Sequence, residues 1–257
     1  MSRRLSFFYE TRLTFDMPVQ GHAFALRCLP PWFPGQDIVD RALTLDPAVP
    51  FAQQHDSFGN LLLTGRIDGP HTYFTYAVRG TARIDLAQRT PEEPLPLYRY
   101  PSPFTQPDGA LRAFFETLDL PEDPREAAWE LSRAVHAVMH YTPGVTGVHT
   151  TAAEAFAGRQ GVCQDYAHIY LVLARLQGLP ARYCSGLPLG EGASHAWCEV
   201  LLDGIWTGID PTRSRWTDDG YIRLCVGRDF GDCPVERGVF TGLAVQTQQV
   251  YMRVSQL

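Results

Sequence analysis

The hydrophobic period of this chain changes partway along it, and that change limits the architectures open to it. From Leu5 to Asp85, apolar and aromatic residues come in short alternating runs, as in Ala23–Leu29, Asn60–Leu63 and His71–Val78. Within the last of these Phe74, Tyr76 and Val78 share one face, as strand residues do. Asp56-Ser57-Phe58-Gly59-Asn60 supplies turn chemistry between two such runs. From 90 to 107 there are six prolines in eighteen residues, too many for a regular hydrogen-bonded ladder, and a linker is expected. Beyond it the period becomes helical. Asp123-Pro124-Arg125-Glu126 reads as an N-cap, a proline at the first helical position and an N3 glutamate, with Ala127, Leu131, Val135 and Val138 following at helical spacing to about His140. Thr151-Ala152-Ala153-Glu154 is a second capping box, ended by Gly158, and Cys163 to Gln177 reads as a third helix closed by Gly178 with Pro180 beyond. Strands return at Ala181–Leu187, His195–Leu202 and Ile205–Ile209. The expected fold class is α+β, with a small β-rich, antiparallel sandwich-like unit over 1–89, a linker over 90–107 and a second unit over 108–257.

What is missing narrows the function. All 22 basic residues are arginines, so every mechanism that needs a protein lysine is excluded, including the P-loop phosphate grip and a pyridoxal Schiff base. The net charge of −6, with no basic block, argues against a nucleic-acid partner. Asn60 is the sole asparagine and is followed by two leucines, so there is no N-glycosylation acceptor and an asparagine-completed triad is disfavoured. Leu5–Tyr9 is too short an apolar stretch for a signal sequence, and Ile169–Ala174 falls far short of the roughly 18 residues of a membrane span. The six cysteines show no C-x-x-C spacing and read as thiols of a soluble, cytoplasmic protein.

Three segments carry chemistry. Cys163 follows the turn Gly158-Arg159-Gln160-Gly161-Val162 and opens a helix, where free N–H groups and the helix dipole favour a thiolate. His195 begins a strand just after the Gly190-Glu191-Gly192 loop, within reach of a substrate. Asp210 ends the next strand, and a short connection between the two would let it face the histidine. His136 and His140 stand four apart on one helix, but residue 137 is alanine rather than the glutamate of an H-E-x-x-H site, and no metal or other cofactor is expected.

In that order, Gly161-Val162-Cys163-Gln164-Asp165-Tyr166-Ala167-His168, Ser194-His195-Ala196-Trp197 and Ile209-Asp210-Pro211-Thr212 resemble the bacterial branch of the transglutaminase-like superfamily of cysteine enzymes. Val148–Glu154, Tyr221-Ile222-Arg223 and Val226-Gly227-Arg228-Asp229 resemble it too, and the first unit, with Asp56–Asn60 and Pro70-His71, is similar to the N-terminal domain that accompanies this branch. The resemblance implies a papain-like core in which Cys163 is the nucleophile, His195 the general base and then acid, and Asp210 the group that orients the imidazole. For the oxyanion, the backbone N–H of Cys163 is the expected donor, with the Gln160 side chain as a second. Cysteine-dependent hydrolysis of a peptide or protein amide through a thioester is the favoured reading. Acyl transfer to an amine is disfavoured because Gln164, not tryptophan, follows Cys163; a non-catalytic peptide-binding module is the remaining alternative. Substrate identity and oligomeric state are open at this stage.

Overall fold

The computed structural model describes residues 2–257. Its first strand, β1 (Arg3–Leu26), is one continuous element of 24 residues where the sequence suggests several short runs. Leu5, Phe7, Tyr9, Thr11, Leu13 and Phe15 are buried along it at period two; beyond Val19 the buried set becomes His22, Phe24 and Leu26. The switch from odd to even positions coincides with register breaks at 14/19 and 20/23 and with Gly21 in the left-handed region (φ 59), where a residue without Cβ is tolerated. A bent strand can then serve two sets of neighbours. Strands β2 (Gln36–Asp46), β3 (Phe51–His55), β4 (Leu61–Ile67) and β5 (His71–Ile84) follow; β5 pairs antiparallel with the first half of β1 and β4 with the second.

The proline-rich stretch is fixed to the protein rather than free. It forms short 3₁₀ turns, and the buried Arg175 donates to Thr105 Oγ1 at 2.6 Å and to the Tyr98 carbonyl at 3.3 Å. Helix α1 (Gly109–Glu116) comes next, an element the hydrophobic pattern does not announce; Asp108 caps it by accepting from the Leu111 N–H at 2.8 Å. Helix α2 (Pro124–Val138) is capped by Asp123, which accepts from the Glu126 N–H at 2.9 Å, and buries Ala127, Leu131 and Val135. Strand β6 (His140–Tyr141), helix α3 (Ala152–Gly158) with its Thr151–Glu154 capping box, strand β7 (Gln160–Gly161) and helix α4 (Cys163–Leu176) follow. Every residue of α4 from Asp165 to Arg175 is buried, so this helix is the centre of the second unit.

Against α4 lies an antiparallel five-stranded sheet of β8 (Ala181–Pro188), β10 (His195–Leu202), β11 (Ile205–Asp210), β12 (Arg215–Trp216) and β13 (Tyr221–Gly227), in the order β12-β11-β10-β8-β13. Between β8 and β10 runs β9 (Gly190–Gly192). The last strands, β14 (Glu236–Thr241) and β15 (Gln246–Gln256), leave this sheet and return to the first one, both pairing with β1; β15 in turn pairs with β9. A division of the chain at 90–107 does not anticipate that return, because the ladder partners of β1 in β15 lie more than two hundred residues away and no local pattern names them. Among the described residues no helix is long and apolar enough to cross a membrane.

Candidate active site

Cys163 is the first residue of α4, and the turn before it is built by Asp165. The carboxyl Oδ2 of Asp165 accepts from the Val162 N–H and from the Thr146 hydroxyl, each at 2.7 Å, closing the last turn of chain before the helix. A Cβ on Gly161 would run into that same carboxyl, which is why the residue there is glycine. Burial pushes the Asp165 carboxyl up, partly countered by these hydrogen bonds. The thiol of Cys163 is half-buried at the mouth of a cleft, whereas Cys28, Cys184, Cys198, Cys225 and Cys233 are buried, and all six are free thiols.

His195 enters the cleft at the start of β10, three residues after β9. Its Nε2 lies 2.7 Å from Asp210 Oδ2. A carboxylate only accepts, so Nε2 carries the proton and Nδ1 is left for the thiol of Cys163, which is within hydrogen-bonding reach of the ring. Asp210, at the end of the neighbouring strand β11, is fully buried. Its Oδ1 accepts from the N–H groups of Thr212 and Arg213 at 3.1 and 3.2 Å, and its Oδ2 also accepts from the Tyr221 hydroxyl at 2.9 Å. Burial raises the Asp210 carboxyl, but the hydrogen bond and charge of His195 outweigh it, helped by Tyr221 and Arg213, and the net direction is down.

The structure thus brings Cys163, His195 and Asp210 together at one end of a cleft of about 580 Å³. Gln160 does not join them. Its backbone pairs with His140 on β6, its side chain is exposed, and it is not among the residues lining the cleft. Gln164 lines the cleft beside Cys163, and His149 lines it too. His168 lies beneath, fully buried, its Nε2 accepting from the Phe230 N–H at 3.1 Å; burial drives its pKa down to about 3, which keeps it neutral. His136 rests its Nδ1 3.1 Å from the Thr212 carbonyl oxygen.

Several residues of the site have no clear signature in the sequence. Tyr221 stands at the start of β13, which β10 and β8 separate from the β11 strand of Asp210, yet its long side chain brings the hydroxyl to that carboxylate. The Arg213 and Arg215 guanidinium groups donate to the Tyr221 oxygen at 3.2 and 3.1 Å, turning its proton toward the carboxylate. Tyr9 and Tyr76 from the first sheet, with Gln246, Gln248 and Val250 from β15, line the cleft together with the second unit. Asp165 does have a signal, an acidic residue three positions after the N-cap.

Comparison with known proteins agrees with this architecture. Residues 113–211 match the model of the transglutaminase-like superfamily, and residues 5–83 match that of the bacterial transglutaminase-like N-terminal region. An uncharacterized protein of Mycobacterium leprae is 31% identical over 167 residues, covering 61% of this chain and 60% of that one. An uncharacterized protein of Mycobacterium tuberculosis is 29% identical over 250 residues, 79% of this chain and 77% of its own. The crystal structure of a candidate cysteine protease from Cytophaga hutchinsonii superposes with a TM-score of 0.82 at 21% identity, over 100% of this chain and 91% of that one, a likeness of fold. The chain is therefore a member of the transglutaminase-like superfamily, an α+β core joined to the N-terminal region of the family's bacterial proteins.

Proposed function

We propose that this protein is a cysteine-dependent amide hydrolase acting through a thioester, with Cys163 as nucleophile, His195 as base and acid, and Asp210 as the orienting carboxylate. The observation that carries the reading is the 2.7 Å contact of His195 Nε2 with a fully buried Asp210, which leaves Nδ1 directed at a thiol on a helix N-terminus. The Cys163 sulfur attacks the amide carbonyl as thiolate, with the thiol proton held on His195 Nδ1. A C–S bond forms, and collapse of the tetrahedral oxyanion breaks the C–N bond while Nδ1 gives its proton to the departing amine. Water then attacks the thioester, His195 takes its proton, and the thiolate leaves the free acid behind. The oxyanion falls beside the backbone N–H groups at the start of α4, Cys163 first among them. Six free cysteines support a reducing, cytoplasmic setting.

The test is a screen of peptide and isopeptide amides against wild type and Cys163→Ala, with intact-protein mass spectrometry under acid quench. A covalent adduct on Cys163 that resolves to free acid, absent in the variant, is expected. Offering a primary amine at millimolar concentration distinguishes the acceptor: amide-exchange product dominating over free acid makes the protein a transferase instead.

A further inference from the structure

One wall of the cleft belongs to the first sheet, and it holds a carboxylate with nothing to answer it. Glu236 begins β14, opposite Leu26 of β1, and is the one acidic side chain among the described residues that line the cleft. No hydrogen bond or ion pair reaches its carboxylate, and burial alone pushes its pKa up. A Cβ on Gly238 would meet His22 Nε2 at 2.7 Å and Glu236 Oε1 at 3.2 Å, so the glycine makes room for both groups; burial holds the His22 pKa down to about 4, which keeps that ring neutral and unable to answer the carboxylate's charge. The neighbouring Tyr76 hydroxyl, itself fully buried, has no well-formed hydrogen bond and feels the charge of Glu236.

The other charged groups facing this space do not neutralise it. Arg237 also lines the cleft, but successive strand residues point to opposite faces, and its guanidinium donates to the Gly231 carbonyl at 3.3 Å. The imidazolium of His195 is matched by Asp210 and the Cys163 thiolate. Glu236 is half-buried, so its unpartnered carboxylate loses part of its hydration, and an entering cation offsets that loss while gaining a charge-assisted hydrogen bond.

We propose that the cleft selects amides carrying a protonated amine or guanidinium near the scissile bond, with Glu236 as the residue that receives the cation. This rests on the preceding reading for Cys163 as the point of attack, and its test does not require turnover. Three bromoacetamides of matched length, bearing an aminobutyl, a pentyl or a carboxypropyl group, are reacted with the protein, and labelling of Cys163 is followed by mass spectrometry, each rate normalised to that of free cysteine. Wild type is expected to react about tenfold faster with the aminobutyl reagent than with the neutral one, and slowest with the anion. Glu236→Gln should bring the aminobutyl and pentyl rates within about twofold, Glu236→Asp should keep part of the preference, and added salt should shrink it. Equal rates in wild type, or a preference that survives Glu236→Gln, overturn the proposal. If Cys163 reacts no faster than an ordinary thiol, the catalytic reading fails, and selectivity is then decided by calorimetry on Cys163→Ala. There N-acetyl-lysine butylamide must bind more tightly than its norleucine counterpart and lose that margin in Cys163→Ala/Glu236→Gln; equal binding overturns it.

Discussion

Burial alone would strip the proton from His195, since desolvation disfavours an imidazolium, yet the hydrogen bonds and charges of Asp210 and Cys163 outweigh it and raise the pKa to about 9. A histidine whose pKa is higher folded than unfolded adds stability that is fully present below its ordinary value near 6.5 and is lost as pH rises through about 9. The span corresponds to about 3 kcal/mol at most. Urea midpoints measured from pH 6 to 10 should therefore fall across that window in wild type, and Asp210→Asn should flatten the fall. The same variant keeps the shape of the site but loses the acceptor that fixes the proton on Nε2, so its kcat should drop by about three orders of magnitude with little change in binding; near-normal turnover would remove Asp210 from the mechanism. Asp165 acts one step further out. Asp165→Ala frees the Val162 N–H and the Thr146 hydroxyl and should cost about 1 to 3 kcal/mol while slowing Cys163 alkylation, because the turn that presents the thiol loosens. Unchanged alkylation with lowered stability would make Asp165 a cap and no more.

Strand β13 is the edge of the five-stranded sheet, and an edge normally shows unpaired N–H and C=O groups. Here two amide side chains from the first unit take the place of a neighbouring strand. Gln36 accepts from the Arg223 N–H at 2.8 Å and donates to the Arg223 carbonyl at 2.9 Å; Asn60 does the same for Val226, at 2.8 and 2.7 Å. The register shift between Arg223 and Cys225 lets both backbones face outward although they are three residues apart. Asn60→Ala leaves a buried donor and acceptor unanswered and should lower the unfolding free energy by about 2 to 4 kcal/mol by urea titration; a loss within 0.5 kcal/mol, roughly that of a surface change, would mean the edge is not held this way. Asn60 also shows what the sequence can and cannot disclose. As part of Asp56–Asn60 it reads correctly as a turn, because turn chemistry is local, but its role against β13 depends on a docking that no local pattern encodes. The same boundary runs through the rest. Caps at Asp123 and Thr151, the helix opening at Cys163 and the strands that bear His195 and Asp210 are written within a few residues of each position. Tyr221 beside Asp210, Glu236 in the cleft and Gln160 outside it depend on contacts between elements far apart in the chain or the sheet, and α1 is too short and too close to the prolines to show a period.

At the scale of the whole molecule, the two sheets are tied through β15. It pairs with β1 from Leu5↔Gln256 to Phe15↔Gln246 on one side, and on the other with β9, from Met252↔Gly192 to Val254↔Gly190. The chain leaves β9 for His195 within three residues, so the C-terminal strand holds the segment that delivers the histidine to the cleft, and it lines the cleft itself with Gln246, Gln248 and Val250. Ending the chain at Ala244 removes that strand, opens a full edge of β1 and uncovers the buried Tyr9 and Phe7. Such a protein should be largely insoluble on expression. A milder change separates the two duties of the strand: Val254→Asn keeps the backbone ladder but buries a polar group where Val254 is 2% exposed, and should cost about 2 to 4 kcal/mol. If β15 positions His195, this variant, measured well below its melting temperature, should also alkylate more slowly at Cys163 near neutral pH, because an imidazole that is less well placed stabilises the thiolate less. A truncated chain that stays soluble, melts like wild type and keeps its alkylation rate would show that the second unit assembles its cleft without the strand.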